Sequence, residues 1–220
     1  MDNVNELINS LRVKVSEYFS SDASGHSVDH LERVLKYALH LQSKEGGDIK
    51  VIAIAAYVHD VHRIMQNERK CFVSPKDSLD VVYSFIKDLD ISERQKEHVL
   101  YAVEHHEEYN FGEGVSVSDI ESKIVQDADN LDAIGAMGIA RAIRYSAAKG
   151  YPDYIVDVPL YRNEYTEAKE DISAVHHIHN KLLRLGEYMN TKTAREIALK
   201  RNKIMENFRD AYIEESNGIL

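Results

Sequence analysis

The chain has one cysteine, no tryptophan, three prolines and ten glycines in 220 residues. A lone thiol, Cys71, cannot close an internal disulfide, and a cytoplasmic location is the expectation. The shortage of glycine and proline excludes a collagen-like or disordered chain and argues against turn-rich sandwiches and barrels. No apolar run approaches the ~18 residues of a membrane span, and Met1-Asp2-Asn3 does not read as a signal peptide, so no membrane partner is expected. Basic residues are outnumbered too: 27 Lys and Arg against 37 Asp and Glu give a formal charge of −10. That balance disfavours a nucleic-acid duplex, because phosphate contacts need a cationic face. A phosphorylated small molecule stays possible if a bound cation reverses the sign locally.

What the chain does have is helical periodicity, nearly from end to end. Val4, Leu7, Ile8, Leu11, Val15, Tyr18 and Phe19 form a stripe that predicts a helix over about 2–20. Ser27 can cap a second helix, with Leu31, Val34, Leu35, Ala38 and Leu39 inward, ended by Gly46-Gly47. Asp48 can cap a third, from Ile49 to about Arg63. Its run from Val51 to Val58 is apolar all round, as in a buried central helix. A strand is the alternative for that run, and its alanines and helical neighbours argue against it. Ser74-Pro75 opens a helix, and Ser92 with Gln95, Ser118 with Glu121, and Thr193 with Glu196 fit capping boxes. Loops are expected at about 110–117 and 150–159, a helix at about 171–189 and another at 193–214. Gly135 and Gly138 are expected to permit close packing. The expected fold is all-α: one helical-bundle domain over 1–220, of eight or nine helices. Its metal-binding core would span about 24–135, with C-terminal helices at about 160–215 packed on it.

Three places put ionisable groups where a helix should be apolar. His30 lies one turn before Val34, on the core side of its helix, and His26 lies one turn earlier still. Helix-end histidines with ordinary hydrogen bonds are the competing explanation. His59-Asp60 follows eight apolar residues without a break. Burying Asp60 unpaired would cost several kcal/mol, which a shared cation would remove. Adjacent residues on a helix diverge by about 100°, so both reach one ion only if it sits beside the helix. Alternatively the helix ends at Val58 and the pair is solvated. In Gln126-Asp127-Ala128-Asp129-Asn130-Leu131-Asp132, Asp127 shares its face with Ile120, Ile124 and Leu131. Asp127 is therefore the carboxylate expected to point inward, with Asp132 next and Asp129 on a solvated face.

These motifs stand in an order that resembles a known family. Gly-His-x-x-x-His-x-x-Arg-Val at 25–34, His-Asp-x-x-Arg at 59–63 and Gln-Asp-Ala-Asp-x-Leu-Asp-Ala-x-Gly at 126–135 look like the HD superfamily of metal-dependent phosphohydrolases. They also resemble the bacterial group related to YpgQ and YedJ, whose tail pattern reappears around His177 and at 189–198. The resemblance implies His30, His59, Asp60 and Asp127 as ligands of a divalent metal. Manganese is the preferred ion, with magnesium, nickel, cobalt and iron as alternatives; mixed imidazole and carboxylate donors suit a transition ion better than calcium. Beside its ligand role, Asp60 is expected to serve catalysis, together with His26 and Asp77, the latter orienting water. His26, Arg63, His106 and Asp132 are expected to meet the substrate. His40, His62 and His98 are read as surface or helix-side residues, and His105 as solvated.

The implied reaction is removal of pyrophosphate from a (deoxy)nucleoside triphosphate. Alternatives are a nucleoside monophosphate phosphatase, an alarmone hydrolase, or a metal or nucleotide sensor without catalysis. The expected partner is a small phosphorylated substrate, and a homodimer is left open.

Overall fold

The structure, a computed structural model, describes residues 2–19, 27–108, 117–160 and 172–219. Its regular structure is all helical, with nine helices of eight residues or more and no strand among the described residues. The chain packs as two compact units, residues 1–129 and 130–220.

The first unit is built around α3 (Ile49–Val58). Every side chain from Val51 to Val58 is buried, so the helix needs partners on all sides. α1 (Asp2–Tyr18), α2 (Val28–Glu45) and α6 (Glu93–His105) supply them. α1 contributes the predicted stripe, with Val4, Leu7, Ile8, Leu11, Val15 and Phe19 all buried. Between α3 and α6 come α4 (Val61–Arg69), a 3₁₀ turn at Pro75–Ser78 and α5 (Leu79–Ile86). α7 (Ile120–Asp132) follows.

The predicted helix from Ile49 to about Arg63 is broken. Asp60 sits at φ −90°, ψ 15°, outside helical values, and its carbonyl accepts from Arg63 N at 2.9 Å. The chain turns there and restarts as α4, so the 100° divergence of adjacent helical residues no longer separates His59 from Asp60.

Asp48 ties three helix starts together. Its Oδ1 accepts from Lys50 N at 2.9 Å, capping α3. Its Oδ2 accepts from Gln95 Nε2 in the first turn of α6 at 2.8 Å, and its backbone N–H donates to Glu121 Oε1 in the first turn of α7 at 2.8 Å. The preceding Gly47 has φ +90°, and a Cβ there would lie 3.0 Å from Ile120 Cγ2 and 3.1 Å from Ile52 Cδ1. Ser92 and Gln95 form the predicted capping box. At α7, Asp119 rather than Ser118 takes the capping position: its Oδ1 accepts from Ser122 N at 2.8 Å.

In the second unit, α8 (Gly135–Lys149) packs on α9 (Ala174–His177) and on α11 (Lys192–Ser216). A Cβ on Gly138 would collide with the Ala133 carbonyl, so glycine lets α8 start that close to the end of α7. The predicted helix over 171–189 is a shorter composite: α9, a π-helical turn at Ile178–Leu182, then α10 (Leu183–Leu185). α11 starts one residue before the expected Thr193. Thr191 is its cap, accepting from Ala194 N at 3.3 Å, and Thr193 falls inside the first turn.

Candidate metal centre

The C-terminal ends of α3, α6 and α7 converge on a buried group of imidazoles and carboxylates. α2 adds His30 from its first turn. His30 and His59 are fully buried and Asp60 is 2% exposed. His30 Nε2 lies 3.2 Å from His59 Nε2 and 3.1 Å from Asp60 Oδ2. Asp60 Oδ2 is 3.5 Å from His59 Nε2. Asp129 Oδ1 completes the group at 3.4 Å from His30 Nε2 and 3.6 Å from His59 Nε2.

The separations among His30, His59 and Asp60 fit one shared cation, and Asp129 borders the same two imidazoles. Donors about 2.1 Å from an ion are spaced about 3.0 Å apart at octahedral angles and about 3.4 Å at tetrahedral ones. The donor chemistry agrees. His59 Nδ1 is 3.0 Å from the Ala56 carbonyl, so Nδ1–H donates there and the Nε2 lone pair faces the cluster. Helix C-termini, which carry partial negative charge, also favour a cation at this end.

Without a cation, protons balance the charge. Burial pushes against a charged His59, but the neighbouring carboxylates of Asp60 and Asp129 outweigh it, and its pKa is raised to about 9. Burial likewise opposes an ionised Asp129, yet His59 and His30 hold its carboxyl below the usual range.

Next to this group, Asp60, His62 and His106 have donor atoms within 4.8 Å of one another. The Arg63 guanidinium pairs with Glu107, and its Nε lies 4.0 Å from Asp60 Oδ1. Burial pushes the Glu107 pKa up, but His62, His106 and Arg63 together lower it to about 2.

The expected site residues therefore divide. His30, His59 and Asp60 come together, and Arg63 and His106 lie beside them. Asp127 is fully buried but joins none of the metal-competent groups among the described residues, whereas Asp129 does. Asp132 is buried in the second unit, where its Oδ2 accepts from Arg141 Nη1 at 2.8 Å. Asp77 closes a capping box, accepting from Ser74 N at 3.0 Å and Ser74 Oγ at 2.6 Å. His105 is ion-paired with Glu108 at 2.7 Å. His26 lies outside the described residues.

The HD domain family matches residues 28–134, which hold the whole cluster. The uncharacterized protein YpgQ of Bacillus subtilis is 33% identical over 199 residues, covering 90% of this chain and 88% of its own. The chain belongs to the HD family.

Solved structures agree. An HD-superfamily hydrolase from Bacillus thuringiensis is 31% identical over 98% of both chains, with a TM-score of 0.74. Bacillus subtilis YpgQ in complex with ADP is 30% identical over 97% of this chain and 96% of its own, with a TM-score of 0.70. This HD protein is thus a metal-dependent phosphohydrolase with an all-α fold. Among the described residues, no helix is long and apolar enough to cross a membrane.

Two groups in the HD protein's cluster escaped the sequence reading. Asp129 was placed on a solvated face by helical spacing, and His62 was read as helix-side. From Ile124 to Asp132, however, every residue of α7 except Asp129 is buried, so no single stripe marks an inward face. No sequence signal singles out Asp129, which keeps partial exposure, 16% of its side chain, at the edge of the cluster. His62 is fully buried in a helix rich in polar residues, where periodicity gives little warning.

Proposed function

We propose that the chain hydrolyses a nucleotide at a single divalent cation held by His30, His59, Asp60 and Asp129, releasing pyrophosphate from a (deoxy)nucleoside triphosphate. One observation carries the reading: donor atoms from four residues on three separate stretches of chain lie 3.1–3.6 Å from their neighbours in a buried space. Two imidazoles and two carboxylates satisfy one divalent ion and leave octahedral positions open, which suits manganese. When bound, the cation supplies Lewis acidity toward a phosphoryl oxygen and makes hydroxide accessible near neutral pH.

The chain's own residues do the rest. His59 is held in one tautomer by the Ala56 carbonyl, and Asp60 by the turn that ends α3. Arg63, at 28% side-chain exposure, is the cation suited to a phosphate. Glu107 orients its guanidinium until a more highly charged partner arrives. A nucleotide as that partner is supported by the ADP bound to YpgQ.

Incubation of the purified chain with manganese and each nucleoside triphosphate, followed by phosphate-product analysis, tests the proposal. Pyrophosphate with the monophosphate is expected. Orthophosphate as the sole inorganic product would reject the pyrophosphohydrolase reading.

A further inference from the structure

At the far end of α7 from the metal centre, a different group of donors comes together. Asp119 and Glu121 flank Ile120, the first residue of α7, and α6 brings His98 beside them. His98 Nε2 lies 2.8 Å from Asp119 Oδ1 and 3.8 Å from Glu121 Oε2. The three side chains offer donor atoms within 4.8 Å of one another. About 15 Å of helix axis separates Asp119 from Asp129.

Each carboxylate gives one oxygen to a backbone N–H. Asp119 Oδ1 accepts from Ser122 N at 2.8 Å, and Glu121 Oε1 accepts from Asp48 N at 2.8 Å. The other oxygen of Asp119 is different: Oδ2 is enclosed and has no hydrogen-bond partner. Ser122 is 1% exposed, and its hydroxyl faces the same carboxylate, yet its Oγ also makes no hydrogen bond. Enclosed oxygens without a donor are an unfavourable arrangement, which a positive species among them would relieve. Burial opposes an ionised Asp119, but the Ser122 N–H and His98 hold its carboxyl below the usual range. The start of a helix carries about half a positive charge, and two carboxylates outweigh it.

We propose that His98, Asp119 and Glu121 bind a divalent transition ion, zinc by its chemistry, at a site separate from the metal centre. One imidazole and two carboxylates are zinc donors, and three protein ligands leave a fourth position for water. Donors about 2.1 Å from an ion lie at most about 4.2 Å apart, a limit that the His98–Glu121 separation meets. Backbone N–H groups already orient both carboxylates, as the outer partners of ligating groups do. The ion takes the place of the His98 Nε2 proton, which leaves to solvent. Bound there, it straps α6 to the start of α7 and stabilises the first unit.

The test is zinc uptake by the metal-free full-length chain, read by equilibrium dialysis with elemental analysis. Wild type and Asp129→Ala are compared, each with and without His98→Ala. His98→Ala is expected to remove one ion per chain on both backgrounds. Glu121→Gln, whose amide oxygen still accepts from Asp48 N, is expected to weaken that ion at least tenfold, and it serves where His98→Ala fails to fold. Zinc is also expected to raise the thermal midpoint of Asp129→Ala by more than that of the double variant. Equal zinc content with and without His98 overturns the site. So does a Glu121→Gln protein that keeps wild-type affinity for every ion. Loss of all zinc in Asp129→Ala would overturn the His98 site and leave the metal centre of His30, His59, Asp60 and Asp129 standing.

Discussion

His30 and His59 meet nitrogen to nitrogen, their Nε2 atoms 3.2 Å apart in a fully buried space. Two lone pairs cannot stay at that distance without something positive between them or beside them. In the metal-free chain a proton serves, and the pKa of His59 is raised to about 9. Manganese must displace that proton. Its apparent affinity is expected to rise about tenfold per pH unit between pH 7 and about 9 and then level off. Calorimetry in buffers of different ionisation enthalpy should show about one proton released per ion at pH 7. The metal-free fold behaves in the opposite sense. A raised pKa adds stability that is complete below the unfolded value near 6.5 and is lost as pH rises through about 9. Denaturation midpoints with chelator should therefore fall across that window, and manganese should remove the fall.

Asp129 and Asp127 separate ligation from packing. Asp129→Ala is expected to lose manganese uptake and lower kcat/KM by at least a hundredfold, with helix content unchanged. Asp127→Asn is expected to retain the ion and to lose stability instead. Metal stoichiometry and circular dichroism on both variants decide between them. Ion loss only in the Asp127 variant would move the fourth ligand to Asp127.

Asp132 and Arg141 form an ion pair in which the carboxylate is fully buried. Replacing Asp132 removes the buried carboxylate to which Arg141 Nη1 donates. Asp132→Ala is expected to cost about 3 kcal/mol in urea unfolding while manganese binding to His30, His59, Asp60 and Asp129 persists. A variant of unchanged stability with a raised KM would restore Asp132 to substrate contact.

Gly47 combines φ +90° with crowding by Ile120 and Ile52. Gly47→Ala is expected to destabilise by about 1–3 kcal/mol, because the backbone resists the residue and the space resists the methyl. Thermal unfolding measures it, and an unchanged midpoint would contradict the strain argument.

Much of the fold was legible in the sequence, for reasons particular residues make plain. The stripe of α1 and the apolar run of α3 are strong periodic signals, and Ser92 with Gln95 is a local cap that depends on nothing distant. His30, His59 and Asp60 stood out because ionisable groups interrupted apolar patterns. Asp129 did not, because on a helix buried nearly all round spacing cannot say which carboxylate meets a distant histidine. The break at Asp60 was equally hidden: it is a tertiary compromise that lets neighbouring side chains reach one place. Asp132 looked inward and is inward, but its partner Arg141 lies nine residues on, in the next helix.

The knot around Asp48 joins the starts of α3, α6 and α7, and the opposite ends of those helices carry His59, His106 and Asp129. Each helix thus acts as a ruler of set length between a common origin and one donor. A residue inserted in any of them would advance its donor by about 1.5 Å and swing it by about 100°, taking it out of reach of the others. Insertions and deletions between the knot and the donors are therefore barred to this chain unless the three rulers change together, whereas its connecting segments are free of that constraint.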